Sequence, residues 1–162
     1  MQVELAKSVA AEPATAFETV ADILDWPQII RSIQSIELLT PGPIRPGTRL
    51  REQRILFGRT ATQELEVANI QRPHRLRLAA EHPDLHYELD HLIDAILGGC
   101  RVMLVFRSRP MTRAGRAIQP FMRPLIGIEL RDELEQDLAD LASAITAKSS
   151  GNQHSDHGFS GY

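Results

Sequence analysis

Long apolar runs and paired cysteines are absent from this sequence. No apolar stretch reaches the roughly 18 residues that a membrane-spanning helix needs, so we expect no integral membrane association. Cys100 is the one cysteine, which excludes an internal disulfide and favours a reducing compartment. Residues 1–10 show no signal-peptide pattern. We therefore expect a cytoplasmic protein.

A basic excess and the common catalytic motifs are also missing. The net charge of −3 predicts no general attraction to nucleic acid. The chain contains no nucleophile elbow, phosphate-binding loop or dinucleotide fingerprint, so we expect no cofactor. His82, His86 and His91 suggest a metal site, but Pro83 interrupts their strand and no cysteine joins them. We therefore expect no metal.

The 162 residues suit one domain, and its first elements alternate in type. Residues 2–10 alternate between apolar and polar positions, as in a half-buried strand. Pro13 suits the first turn of a helix whose apolar positions continue to Leu24. Asp25 is placed to cap a second short helix that begins with Trp26 and Pro27.

Six further strand patterns follow, separated by turns rich in glycine and proline. They are predicted at 33–40, 48–57, 60–70, 75–80, 85–93 and 100–109. Because no helical pattern interrupts them, the sheet should be antiparallel.

The end of the chain predicts one long helix. Pro120 and Pro124 indicate an irregular entry, and the helix is expected from about Leu125 to about Ala147. One apolar stripe marks its buried face. The stripe consists of Leu130, Leu134, Leu138, Leu141 and Ile145. Residues 148–162 are polar and predict a disordered tail, so the domain should span 1–147.

The order of these elements, strand, two helices, six strands and long helix, is that of the helix-grip fold, an α+β class. Ala11 to Asp22, followed by Trp26-Pro27, resembles the opening of START-like (SRPBCC) proteins of the polyketide cyclase/dehydrase type. The Pro46-Gly47 and Gly58-Arg59 turns, the segment 70–76 and Gly98-Gly99 resemble later motifs of that superfamily. The resemblance implies about seven strands curved around the long helix and a cavity for a lipid, polyketide or quinone-like molecule.

Strand 84–93 supplies the leading candidates for chemistry. Its more apolar face carries Tyr87 and His91, so both are expected to point inwards. A phenol and an imidazole in an apolar cavity can orient a ligand carbonyl or move a proton. The alternative is that both are hydrogen-bonded core residues without a catalytic role.

Three further positions are candidate ligand contacts. The two faces of strand 48–57 are equally apolar; if Arg51 and Gln53 face inwards, they can meet a ligand carboxylate or carbonyl. Otherwise they are surface pairs. Arg131 lies beside the helix stripe and either extends to solvent or holds a ligand head group. Trp26 packs the helix turn against the sheet or lines the cavity mouth.

Three functions remain open from the sequence. The first is binding or transport of a hydrophobic small molecule, because the polar candidates form no catalytic constellation. The second is a polyketide cyclase or dehydratase, a lyase or isomerase in which Tyr87 and His91 act with Arg51. The third is a protein-interaction module, for example a homodimer formed through the outward pair Met103 and Val105.

Overall fold

The computed structural model describes residues 1–83 and 85–155 and contains seven strands and three α-helices in that part of the chain. The strands are β1 (Gln2–Val9), β2 (Ile33–Leu38), β3 (Arg49–Leu56), β4 (Arg59–Gln71), β5 (Arg75–His82), β6 (Leu85–Ile96) and β7 (Gly99–Pro110). The helices are α1 (Pro13–Ala21), α2 (Trp26–Ile29) and α3 (Arg113–Ser155), with a 3₁₀ turn at Ile23–Asp25. The predicted helix-grip fold is confirmed.

All seven strands form one antiparallel sheet in the order β1-β7-β6-β5-β4-β3-β2. β2 to β7 are sequential neighbours, and β1 closes the series by pairing with β7. This arrangement follows from the short turns, since strands joined by a few residues pair with their neighbours. α3 lies across the inner face, where it contacts β1 and β7, and α1 packs on α3.

Two glycines occupy positions that a residue with a side chain takes only at a cost or not at all. The β3–β4 turn is Phe57-Gly58, and both residues have positive φ, +52° and +72°. Gly58 adopts this conformation freely, whereas a side chain such as that of Phe57 does so at a cost. Gly99 begins β7 beside the end of β1, and a Cβ there would lie 2.1 Å from the Val9 carbonyl oxygen. Only glycine fits that approach.

The core lies between the sheet and α3. The buried stripe of α3 includes Leu134, Leu138, Leu141 and Ile145, as the periodicity predicts, with Leu130 half-buried at its edge. α1 contributes Ala16, Phe17 and Val20 to the same core. No helix in the described part of the chain is both long enough and apolar enough to cross a membrane.

Helix α3 is longer than its sequence predicts at both ends. It begins at Arg113, because the Thr112 hydroxyl accepts a hydrogen bond from the Gly115 N–H at 3.0 Å and so caps the first turn. It therefore includes Pro120 and Pro124, where an irregular entry was expected.

The helix also continues through residues 148–155, which corrects the predicted start of a disordered tail at 148. The Ser149 hydroxyl donates to the Ala10 carbonyl at 3.4 Å, which ties this extension to the body of the domain. The remainder of the predicted tail, 156–162, lies outside the described residues.

The outward pair on β7 offers less apolar surface than the sequence suggests. Val105 is already buried within the chain, although it lies on the outer face of the sheet. Met103 is half-buried. The proposed dimer surface is therefore reduced to part of one methionine side chain.

Candidate functional site

A cavity of about 230 Å³ lies between the inner face of the sheet and α3. Its wall is mainly apolar and includes Leu65, Leu78, Leu89, Leu104, Phe106 and Leu134. A cavity of about 150 Å³ with such a lining is known to hold one benzene molecule, so this one suits a ligand larger than a single ring. The cavity that the family resemblance implies is therefore present in the structure.

A connected group of polar side chains crosses this apolar wall. We call it the polar band; its members are Glu52 and Arg54 of β3, Gln63 of β4, Tyr87 of β6 and Asp137 of α3. The three strands are neighbours or near neighbours in the sheet, and α3 covers them, so four separate elements bring the band together.

Arg54 joins the sheet to the helix. Its guanidinium donates a short hydrogen bond to the Asp137 carboxylate and a second bond of 2.7 Å to the Ser32 hydroxyl. Ser32 in turn donates to the other Asp137 oxygen at 2.7 Å. Only 11% of the Arg54 side chain and 7% of the Asp137 side chain are exposed. This buried pair fixes the position of β3 relative to α3.

The band continues from Arg54 to Tyr87 through two side chains. Arg54 Nη1 lies 3.5 Å from Glu52 Oε1, and the Gln63 amide donates to the same oxygen at 2.7 Å. The Tyr87 hydroxyl donates a short hydrogen bond to Gln63 Oε1. The phenol is therefore coupled to a buried carboxyl group by one amide.

Burial and the neighbouring charges shift the pKa values of three members of the band. It raises the pKa of Glu52, and the nearby Arg54 charge only partly offsets the effect. Burial, together with the Glu52 charge, raises the pKa of Tyr87 to about 12. For Arg54, burial lowers the pKa, but Asp137 and Glu52 outweigh it and keep the pKa above its usual value. Near neutral pH, Tyr87 is thus a neutral hydrogen-bonding group beside a cation.

His91 and Trp26 form a second polar feature of the cavity wall. Their ring centroids are 5.1 Å apart, and the Trp26 indole donates to the Val20 carbonyl at 3.1 Å. Burial lowers the pKa of His91 to about 4, outweighing a backbone contact at Leu76, so the imidazole is neutral at pH 7. Its Nδ1 atom is buried and has no hydrogen-bond partner among the described residues.

The structure places three of the six predicted ligand contacts at the cavity. Tyr87, His91 and Trp26 all line it, and the inward orientation of the first two follows from the apolar face of β6. Trp26 also packs the helix turn, so both interpretations of this residue describe its position.

Arg51 and Gln53 lie on the exposed, opposite face of β3, so their candidacy as ligand contacts is wrong and the alternative of surface residues describes them. Arg51 forms ion pairs with Glu37 at 3.1 Å and Glu64 at 3.3 Å on the exposed face. Leu50 and Glu52 are buried instead, because the alternation of the strand allows only one of the two sets to face the core.

Arg131 does not line the cavity either. Its side chain is 53% exposed and pairs with Glu135 at 3.1 Å, one turn further along α3. It therefore extends to solvent, which is the first of the two sequence interpretations.

The sequence did not single out Glu52, Arg54, Gln63 or Asp137 as cavity residues. The inward face of β3 alternates as Leu50, Glu52, Arg54 and Leu56, which is no more apolar than the outward face. The available signal was the opposite charge of neighbouring inward positions, which permits mutual compensation on burial.

Neither metal nor thiol chemistry is indicated in the described part of the chain. No cluster of three or more histidine, cysteine, aspartate or glutamate side chains there can hold a metal ion. Cys100 is a buried free cysteine, and burial raises the pKa of its thiol, which disfavours the reactive thiolate.

Three solved structures share this architecture at low sequence identity. A protein of Thermus thermophilus matches with a TM-score of 0.74 and 18% identity, covering 92% of this chain and 99% of its own. The Zhui aromatase/cyclase of a Streptomyces species matches with a TM-score of 0.70 and 19% identity, covering 90% and 93%. A START superfamily protein of Mycobacterium smegmatis gives 0.66 and 16%, covering 93% and 98%. At these identities the likeness shows the fold.

The sequence matches none of the curated proteins compared with it. A family model does match, and it spans residues 1–146, nearly the whole described chain. Its description is polyketide cyclase/dehydrase and lipid transport. The START-like resemblance of the sequence motifs is thereby confirmed, and the chain belongs to the polyketide cyclase/dehydrase and lipid transport family.

Proposed function

We propose that this protein binds and carries a hydrophobic small molecule in the cavity between the sheet and α3. The observation that carries the proposal is the cavity itself, a largely apolar space with a few polar groups at fixed positions. That combination is typical of small-molecule sites, where apolar walls provide affinity and polar groups provide orientation. The free cysteine suits a cytoplasmic carrier.

The hydrogen bonds within the polar band favour a role in orienting a ligand over a role in catalysis. Arg54, Asp137 and Ser32 hydrogen-bond to one another, and Tyr87 donates to Gln63. Buried networks in which most polar atoms are paired rigidify a site, and here Arg54 Nε is the one atom of the band that is buried without a partner among the described residues. A ligand would therefore meet polar groups that are already held in position.

Native mass spectrometry of freshly purified protein tests this proposal. A stoichiometric adduct that organic extraction releases as a lipid, polyketide or quinone would support it. A protein that carries no adduct and also fails to bind neutral fluorescent apolar probes would refute it.

A cyclase or dehydratase reaction is a second candidate, favoured by the hydrogen-bonded series Glu52, Gln63 and Tyr87. In this alternative the Tyr87 hydroxyl would turn from Gln63 to donate to a ligand carbonyl and polarise it, and neutral His91 would accept a proton from the ligand. Arg54 takes the place at the cavity that the sequence assigned to Arg51. The similarity in fold to an aromatase/cyclase agrees with this candidate without assigning a reaction.

Substitutions separate the enzyme from the carrier. With a linear polyketone mimic as substrate, Tyr87→Phe and His91→Gln should abolish turnover while binding of the mimic persists. Turnover that survived both substitutions would exclude this mechanism and leave the carrier function.

A further inference from the structure

The charge balance of the cavity is fixed by the polar band. Arg54 is the one charged basic side chain among the described residues that line the cavity, and it contacts two carboxyl groups. Asp137 accepts its shortest hydrogen bond, and Glu52 lies 3.5 Å away. The band is therefore neutral when Glu52 is protonated and carries a charge of −1 when it is ionised. In neither state does it offer an unpaired positive charge. The Met1 ammonium group, which is separate from the band, donates to the Ser108 carbonyl oxygen at 2.9 Å.

No other described side chain near the cavity changes this balance. Arg51 pairs with acids on the outer face of the sheet, and Arg131 pairs with Glu135 in solvent. His91 lines the cavity as a neutral imidazole. A ligand carboxylate would thus lose its hydration and meet a guanidinium already bonded to Asp137.

The cavity does retain hydrogen-bonding capacity for a neutral group. Among the described residues, both contacts given for the Glu52 carboxyl fall on Oε1. Oε2 can therefore accept from a ligand hydroxyl when Glu52 is ionised and donate to one when it is protonated. The Tyr87 O–H donates to Gln63 Oε1, and the lone pairs of the phenol oxygen can still accept from a ligand. His91 is only 2% exposed, and its Nδ1 atom has no partner among the described residues. Because Nδ1 is itself buried, the hydrogen-bonding capacity that a ligand can reach is that of Glu52 and Tyr87.

We infer that the cavity selects neutral, hydroxylated apolar molecules, such as phenols and ring or chain alcohols, over carboxylates with the same skeleton. The inference rests on the proposed binding function and adds the chemical class of the ligand. It separates this site from one for free fatty acids or other anionic lipids, because those head groups need an uncompensated cation.

Competition with a neutral fluorescent probe tests this selectivity. Bound N-phenylnaphthylamine is displaced near neutral pH by naphthol or by naphthoate, and in a second series by dodecanol or by dodecanoate. The neutral member of each pair should bind more tightly by about ten-fold or more, since one uncompensated charge contact at reduced dielectric is worth at least that factor. Equal or tighter binding of the carboxylates would overturn the inference.

Two substitutions test the cause of the selectivity. Asp137→Asn removes a negative charge, and Glu52→Gln removes the carboxyl group that carries the second negative charge when it is ionised. Both substitutions keep the side-chain shape, so each should reduce the preference for naphthol over naphthoate. Glu52→Gln also shows the effect if Asp137→Asn fails to fold. Asp140→Asn is the matched control, because Asp140 lies on the same helix and pairs with Arg31 outside the cavity. Its preference should equal that of the unsubstituted protein.

The outcomes separate the two proposals. If the probe does not bind the unsubstituted protein, the binding function fails and the inference fails with it. If the probe binds but naphthoate competes as well as naphthol, the inference alone is wrong. If the preference is present but unchanged in both Glu52→Gln and folded Asp137→Asn, the charge compensation by the polar band is not its cause, which also overturns the inference.

Discussion

The carboxylate of Asp90 on the outer face of β6 provides a sharp test of what holds the sheet together. Its side chain is fully buried, although it points away from the core. Arg77 on β5 donates to both oxygens at 2.9 and 2.8 Å, Arg107 on β7 donates at 2.6 Å, and Arg75 lies at 3.3 Å. One carboxylate therefore connects three neighbouring strands of the sheet.

Asp90→Asn should lower the free energy of unfolding by about 3 kcal/mol. Loss of one partner from a buried pair typically costs about 3–5 kcal/mol, and the lower end applies because Arg77 and Arg107 retain 26% and 40% exposure and can be hydrated. Urea denaturation followed by circular dichroism measures the difference. Asp94→Asn is the matched control on the same face of β6, with 52% exposure and one contact of 3.4 Å to Arg101; it should cost no more than about 0.5 kcal/mol.

The pH dependence of this difference gives a second check. Burial alone would raise the pKa of Asp90, but the hydrogen bonds from Arg77 and Arg107 outweigh it, and the folded-state pKa is lowered. The unfolded chain therefore takes up the proton first, at about pH 3.9. The stabilisation is complete above that value and is lost as the pH falls through the folded-state pKa. An Asp90→Asn protein within about 1 kcal/mol of the unsubstituted one at neutral pH, or a gap unchanged in acid, would refute this reasoning.

The cavity groups give two further pH predictions. In Tyr162→Phe protein, the absorbance of Tyr87 after a rapid alkaline jump should titrate near pH 12; a midpoint at the ordinary value of about 10 would show that the phenol is not buried. His91 has a folded-state pKa of about 4, below the unfolded value of about 6.5, so its contribution to stability is present above pH 6.5 and is lost as the pH falls to about 4. His91→Gln should reduce the slope of unfolding free energy against pH in that window by up to about 1.4 kcal/mol per unit, and an unchanged slope would contradict the assignment.

The sequence predicts the fold well because the periodicity of apolar residues and the glycine and proline residues of the turns are local features. The alternation of β6 correctly turns Tyr87 and His91 inwards, and the 3.6-residue stripe of α3 correctly identifies Leu134 and Leu141 as core. Glycine and proline mark the turns to within a residue or two, as with Phe57-Gly58, where Gly58-Arg59 was expected. Such signals require no knowledge of distant parts of the chain.

The polar band depends on contacts that local patterns do not contain. Arg54 and Asp137 are 83 residues apart in sequence and become partners only when α3 closes over β3. The two faces of β3 have equal apolar content, so hydrophobicity alone selects neither. The face with Glu52 and Arg54 is inward because the helix supplies a carboxylate for the arginine there, whereas Arg51 finds its acids on neighbouring strands outside.

The most direct test of the central claim is a titration with N-phenylnaphthylamine that compares the unsubstituted protein with a variant whose cavity is filled by a larger side chain. Leu89→Trp places an indole into the cavity from β6, and Leu92→Trp places the same group on the outer face of that strand. The account predicts saturable binding to the unsubstituted protein and to Leu92→Trp, and loss of binding in folded Leu89→Trp. Absence of binding to the unsubstituted protein, or full binding to Leu89→Trp, would contradict the claim that an apolar ligand occupies this cavity.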